Sequence, residues 1–275
     1  MREESFKGVG GLNIVFRSWH PEGKPRAVLV IVHGFNSHSG QYLWAADRFA
    51  SSGYAVYAHD QRGRGKSEGE RFTVEKVEDY VNDVASLVAL AKSREPGLPV
   101  FMLGHSAGGV ISCVYALEHQ KDIHGLICES FALKVPAPEL VLKSVQWLSR
   151  FVPRLPVLKL PNKGFSRDPK IVESMNKDPL IAKEIQPAIT VAAMLRANER
   201  VEREFSLIRL PVLILHGAAD KVTLPAGSKL FHDKAGSTDK TLKIYPDYVH
   251  DLLNDIGKEK VIADILGWVG ARLSA

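Results

Sequence analysis

Ala27-Val28-Leu29-Val30-Ile31-Val32 is an uninterrupted apolar run with no polar position to turn toward water. A strand with one wet face alternates apolar and polar residues, so this run suits a strand buried on both faces, as in a parallel sheet covered by helices. Similar runs recur at Tyr54 to Ala58, Val100 to Leu103, Ile123 to Cys128 and Val212 to Leu215, with a final β-like stretch at Thr241 to Tyr245. Phe6 to Trp19 reads as two strands turning at Gly10-Gly11. Between the runs lie helical stripes. Val77, Tyr80, Val81, Val84, Leu87, Val88 and Ala91 fall on one helix face, Val110, Ile111, Val114 and Tyr115 on another, and Val261, Ile262, Ile265, Leu266 and Val269 on a third. Strands alternating with helices predict the α/β class, with a mostly parallel central sheet flanked by helices.

Residues 133–205 break this rhythm: they are proline-rich, carry short apolar helices and separate two sheet strands by far more than a crossover needs. The expectation is a helical cap, or lid, at 133–205, inserted into one core made of 1–132 and 206–275. The net charge of +5 is concentrated there. Residues 131–205 hold 13 Lys and Arg against 8 Asp and Glu, whereas the rest of the chain is balanced. Within the cap, Val141, Leu142, Val145, Leu148, Phe151 and Val152 beside Lys143, Arg150 and Arg154 could form an apolar, basic face for an anionic lipid surface. The same apolar residues could instead roof a pocket, leaving the charges solvated. No run reaches the roughly 18 apolar residues of a membrane span, and Met-Arg-Glu-Glu-Ser lacks the apolar stretch of a secretory signal, so a cytoplasmic protein with at most peripheral membrane contact is expected. Cys113 and Cys128 sit in apolar segments and read as core residues.

Gly104-His105-Ser106-Ala107-Gly108 fits G-x-S-x-G. Its force lies in its setting, after a predicted strand and before a helical stripe, which is the strand, sharp turn and helix of a nucleophile elbow. A serine hydroxyl needs a base. His250 lies between the last β-like stretch and the last helix, and Asp220 follows the Val212 to Leu215 strand. The order Ser106, Asp220, His250 is that of α/β-hydrolases. Rivals for the acid are Asp247 and Asp251, which flank His250, and Glu129, which ends the Ile123 to Cys128 strand. An oxyanion from ester attack needs two N–H donors, and the backbone amides of Ala107 and of Phe35, in His33-Gly34-Phe35, are placed to supply them. Such chemistry calls for no metal or cofactor. His33 and His38 lack a nearby cysteine or carboxylate cluster and read as structural. Gly65-Lys66-Ser67 resembles the end of a phosphate-binding loop, but Asp60 stands where its first glycine would be. The loop Arg62-Gly63-Arg64-Gly65-Lys66 therefore reads as a charged turn.

Taken together, His33-Gly34, Ser39-Gly40-Gln41-Tyr42, the stretch Asp60 to Gly69, Gly97-Leu98-Pro99-Val100, the elbow, Asp178-Pro179-Leu180, His216-Gly217-Ala218-Ala219-Asp220 and Lys240 to Tyr245 resemble the monoacylglycerol lipase and lysophospholipase branch of the α/β-hydrolase family. The resemblance spans nearly the whole chain. It implies an α/β-hydrolase fold, an acyl pocket under the cap, and cleavage of a lipid-like monoester of medium to long acyl chain into glycerol and fatty acid. Members of mammalian type carry a glutamate and an arginine after His-Gly that hold the glycerol head, where this chain has Ser37 and Gln41. They also place a histidine three residues after the catalytic one, where this chain has Leu253. Those three positions, with His105 and Glu129, are expected to contact substrate. The departures leave open a broader carboxylesterase, and the same machinery could serve a thioesterase, a lysophospholipase or an acyltransferase. A non-catalytic binding protein of the same fold is the alternative from another class.

Overall fold

The computed structural model describes residues 1–273. Its ten strands are β1 (Arg2–Lys7), β2 (Asn13–Trp19), β3 (Ala27–Val32), β4 (Tyr54–His59), β5 (Val100–His105), β6 (Gly125–Glu129), β7 (Pro156–Leu158), β8 (Gln186–Pro187), β9 (Val212–Gly217) and β10 (Lys240–Tyr245). Its helices are α1 (Leu43–Ser51), α2 (Val77–Arg94), α3 (Ala107–His119), α4 (Glu139–Leu148), α5 (Pro169–Lys177), α6 (Ala188–Glu204), α7 (Pro225–Lys234) and α8 (Lys258–Ala271).

Eight strands form one sheet in the order β1-β2-β4-β3-β5-β6-β9-β10. Neighbours from β4 to β10 run parallel, while β1 and β2 form an antiparallel hairpin, with β2 also antiparallel to β4. The apolar runs do what their lack of alternation requires. Val28, Val30 and Val32 of β3 join the cluster under α2 and α3, whereas Ala27, Leu29 and Ile31 join the cluster under α1 and α8. A one-residue slip of register would exchange these sets, so burial on both faces fixes the pairing. The parallel strands end on one edge of the sheet, where ligands of such sheets gather.

Between β6 and β9 the chain leaves the sheet to form α4, the small β7-β8 ribbon, α5 and α6. This segment is not a detached body: Ala193, Met194, Ala197 and Val201 of α6 belong to the same buried cluster as α3. At its other end α4 has no buried residue. The exposed apolar residues there are Leu140, Val141, Trp147, Phe151, Val152 and Leu155. The apolar face expected from the sequence is thus redistributed. Leu142, Val145 and Leu148 are half-buried, and Trp147 and Leu140 take their place outside. The basic groups are also less free than expected, since Arg154 pairs with Glu70 and Glu75, and Lys143 with Glu139.

The Arg62 to Lys66 loop departs further from a charged turn. Only Lys66 is exposed; Arg62 is buried on Asp83, and Arg64 is wholly buried against Glu184 of the cap. Gly65 lies with φ +50 against Asp60, and the Lys66 N–H donates to Asp60 Oδ2 at 2.8 Å. The phosphate-loop look-alike thus wraps a carboxylate of its own chain. No helix among the described residues is long and apolar enough to cross a membrane.

Candidate active site

Three strand ends bring the expected side chains together. Ser106 follows β5 directly and has φ 55, ψ −119, a conformation that projects its side chain from a tight strand-to-helix turn. Its own N–H donates to the Glu129 carbonyl at 2.9 Å, tying the turn to the end of β6. Glycine is required on both sides of it. A Cβ on Gly108 would lie 2.1 Å from the Val32 carbonyl oxygen, and one on Gly104 would lie 2.5 Å from that of Gly108.

Ser106 Oγ lies 2.9 Å from Nε2 of His250, whose Nδ1 lies 2.8 Å from Asp220 Oδ2. Asp220 is held from several sides. Oδ1 accepts the N–H groups of Val222 (2.7 Å) and Thr223 (3.1 Å), and Oδ2 accepts the Thr223 hydroxyl (2.9 Å) and lies 3.1 Å from His216 Nε2. Burial works against its ionisation, but the hydrogen bonds from His216 and His250 outweigh it and hold the carboxyl far below the usual range. Two rings pack against the imidazole, His105 tilted at 4.9 Å and Phe165 of the inserted segment edge-on at 4.9 Å.

Gly34 runs against the elbow so closely that a Cβ there would lie 2.8 Å from Ser106 Cβ. This brings the Gly34-Phe35 peptide beside Ala107, whose N–H, at the first position of α3, has no partner within the helix. His33 sets that peptide's orientation. Its Nε2 accepts the Gln61 N–H at 3.0 Å, so Nδ1 carries the proton and donates to the Gly34 carbonyl at 2.7 Å. Burial lowers the His33 pKa to about 3, which keeps the ring in this neutral form. A peptide's C=O and N–H point in opposite directions, so a carbonyl held by His33 turns the Phe35 N–H away from it. His38 is likewise engaged, with Nε2 2.8 Å from Asp178 Oδ2 and Nδ1 accepting the Gly40 N–H.

The other positions expected to contact substrate are enclosed to different degrees. Leu253 is 1% exposed and packs in the core cluster with α1 and α8. Ser37 is buried, and Gln41 is half-buried with its carbonyl near the Asn254 amide. Glu129 and His105 are fully buried behind the histidine. Glu129 Oε1 accepts the Leu253 N–H at 3.3 Å, and it is Asp220 that His250 meets. His105, Glu129 and Asp251 bring potential ligand atoms within 4.8 Å of one another, a set of residue types that can also hold a cation. Burial, then the Asp251 charge, pushes the Glu129 carboxyl well up, and burial raises Asp251 to about 6, so this cluster retains protons readily.

His216, Thr223 and Phe165 complete the site although no motif marked them individually. His216 stands four residues before Asp220, a spacing with meaning only once the β9 turn is known. Phe165 comes from the cap, where nothing local signals its destination. Ser106 is 4% exposed and His250 beside it is wholly buried.

A family model described as serine aminopeptidase, S33, matches residues 23–257. A monoacylglycerol lipase of Mycolicibacterium smegmatis is 33% identical over 274 residues, covering 98% of each chain. Human monoglyceride lipase is 34% identical over 267 residues, 95% of this chain and 88% of its own. Among solved structures, the monoacylglycerol lipase of Paleococcus ferrophilus superposes with a TM-score of 0.85 at 29% identity, covering 94% of this chain and 99% of that one.

Proposed function

Because the chain belongs to the serine aminopeptidase S33 family, and within it to the monoacylglycerol lipase branch of the α/β-hydrolases, we propose that it hydrolyses monoacylglycerols to glycerol and fatty acid through an acyl-Ser106 intermediate. The observation that carries this reading is the unbroken chain from Ser106 Oγ through His250 to Asp220, at 2.9 and 2.8 Å.

In the proposed reaction Ser106 Oγ attacks the ester carbonyl carbon while its proton passes to His250 Nε2. Asp220 holds the Nδ1–H and stabilises the imidazolium. The tetrahedral oxyanion is held by the N–H groups of Phe35 and Ala107, each worth about 3 kcal/mol, and by the positive end of α3. As the intermediate collapses, the glycerol oxygen leaves with the proton from His250. Water then repeats the sequence on the acyl-enzyme and frees the fatty acid. Phe165, Met175 and Ile181 of the cap pack with Val222 of the core in an apolar cluster beside His250, the kind of surface an acyl chain needs.

We further propose that the cap meets a lipid surface, supported by the exposed Leu140, Val141, Trp147, Phe151, Val152 and Leu155 on and after α4. A second reading, a carboxylesterase without glycerol selectivity, is favoured by Ser37 and Gln41 and by the burial of Leu253. Hydrolysis of 1-monoacylglycerols against p-nitrophenyl esters across acyl lengths, in native protein and Ser106→Ala, separates the two. Long monoacylglycerols preferred, with a dead variant, support the lipase; short simple esters preferred support the esterase.

A further inference from the structure

The loop that carries the Phe35 N–H is fastened to the cap through a buried carboxylate. The next residue, Asn36, sits at φ 51 and donates its backbone N–H to Glu184 Oε1 at 2.8 Å. Glu184 belongs to the inserted segment, just before β8, and its side chain is wholly buried. The same oxygen accepts from Gln186 Nε2 at 2.6 Å and from Arg64. Arg64, also wholly buried, gives a second donor to Gln186 Oε1 at 2.7 Å, and its guanidinium lies 4.5 Å over the centroid of the Phe35 ring. The Asn36 side chain extends the attachment, its Nδ2 donating to the Leu160 carbonyl at 3.1 Å and to Asn162 Oδ1 at 2.9 Å. On the core side, His33 holds the preceding carbonyl.

We propose that Glu184 is a positioning residue for the oxyanion hole, so that the hole is complete only when the cap is seated. The inference rests on the reading of Phe35 as an oxyanion donor. Residues 33–38 belong to no helix or strand, and Asn36 sits at a positive φ. Its aim is set by His33 from beneath and by Glu184 with Arg64 from above. A displaced cap takes Glu184 with it and frees the Asn36 N–H, and the neighbouring Phe35 N–H loses its fixed direction. The buried charges make seating specific, because a seated cap with Arg64 and Glu184 apart would strand two unpaired ions. Closing over a substrate and completing the electrostatic site thereby become one event, the coupling that induced fit requires.

The test compares Glu184→Ala and Glu184→Gln with native protein in three readouts: kcat and KM on a p-nitrophenyl ester, the second-order rate of fluorophosphonate labelling of Ser106, and the melting temperature. Glu184→Ala should lower kcat and the labelling rate together by roughly tenfold, short of the loss of a whole donor, with KM nearly unchanged. Glu184→Gln, which keeps an acceptor for the Asn36 N–H, should recover most of both. A lower melting temperature with native kcat and labelling would overturn the proposal, leaving Glu184 a structural residue only. Should the alanine variant fail to fold, the double variant Glu184→Leu/Arg64→Met removes both charges and strands neither. It must show the same deficit, and full labelling by it overturns the proposal equally. Labelling needs no assumption about the natural ester. A labelling deficit in a protein that ignores monoacylglycerols would therefore sink the substrate assignment and not this one, whereas native protein that resists the probe would sink the reading of Ser106 itself.

Discussion

Phe165 of the cap meets His250 of the core edge-on, with ring centroids 4.9 Å apart and planes at 89°. The contact is reinforced by the Asp251 N–H, which donates to the Phe165 carbonyl at 2.8 Å, and by the ion pair of Arg167 with Asp255, which itself accepts the Val249 N–H. The inserted segment thus holds the His250 loop as well as the Phe35-Asn36 loop. Phe165→Ala should lower kcat several-fold by loosening the imidazole and should cost about 3 kcal/mol or more of stability as a buried ring is lost. Phe165→Leu should restore much of the stability but not the ring contact. Denaturant melts and steady-state kinetics on both variants check this, and an alanine variant with native kcat would show that His250 is held by Asp220 and His105 alone.

Glu129 and Asp251 make stability depend on pH in a direction opposite to that of an ordinary salt-bridged carboxylate. Burial and the Asp251 charge raise Glu129, and burial raises Asp251 to about 6, despite stabilising contacts from Asn254 and the His250 charge. His105, Asp220, Asp255, Tyr42 and Tyr245 are further charged or titratable groups around the pair. A raised carboxyl pKa means that the folded protein binds protons more tightly than the unfolded chain, so this contribution is present below the unfolded carboxyl pKa and is lost as pH rises through the folded one. Glu129→Gln, isosteric with the neutral acid, should therefore raise the melting temperature at about pH 8 by a few degrees and give little at about pH 4. It should also keep most of the activity. Loss of activity on the scale of an Asp220 variant would instead make Glu129 the acid partner.

The sheet was legible because its strands announce themselves: six apolar residues in β3 admit no solvent face, and the stripe from Val77 to Ala91 admits only a helix. Ser106 was legible because its glycines are demanded by contacts shorter than any Cβ tolerates. What escaped lies in long-range pairing of charges and rings. Arg64 reads as a solvated turn residue, since nothing near it in sequence reveals Glu184, 120 positions away. Leu253 was expected at a substrate contact from the resemblance, and its apolar side chain packs in the core, where its burial is favourable. In α4 the helical period was readable, but which side would be covered depended on where α6 lies.

Asp220 accepts the Val222 and Thr223 N–H groups, the Thr223 hydroxyl and the His250 ring, with burial outweighed by the His216 and His250 hydrogen bonds. It stays ionised across the working range. Its depressed pKa contributes stability that is present above the unfolded carboxylate pKa and is lost only as pH falls through the folded one. The acid limb of the kcat/KM profile should consequently not track protonation of this carboxylate. Asp220→Asn should reduce kcat by about 10⁴-fold, the order found when a triad acid is replaced by its amide, with the fold retained. A loss below about tenfold would show that another carboxylate can orient His250.

The exposed end of the cap gives the last prediction a geometric basis. Trp147 and Phe151 lie one helical turn apart, ring centroids 4.9 Å from each other, 60% and 66% exposed. Arg154 and Lys143 already have acidic partners, so apolar insertion should outweigh charge in any attachment to lipid. Trp147→Ser with Phe151→Ser should weaken co-sedimentation with anionic vesicles at least as much as exchanging Lys143, Arg150, Arg154 and Lys159 for glutamine. Turnover of a soluble short ester should be unchanged in both. If the glutamine variant alone abolishes vesicle binding and added salt does the same to native protein, attachment is electrostatic and the aromatic pair is a spectator. If neither set alters binding, the exposed apolar residues serve another purpose, and substrate reaches Ser106 from solution.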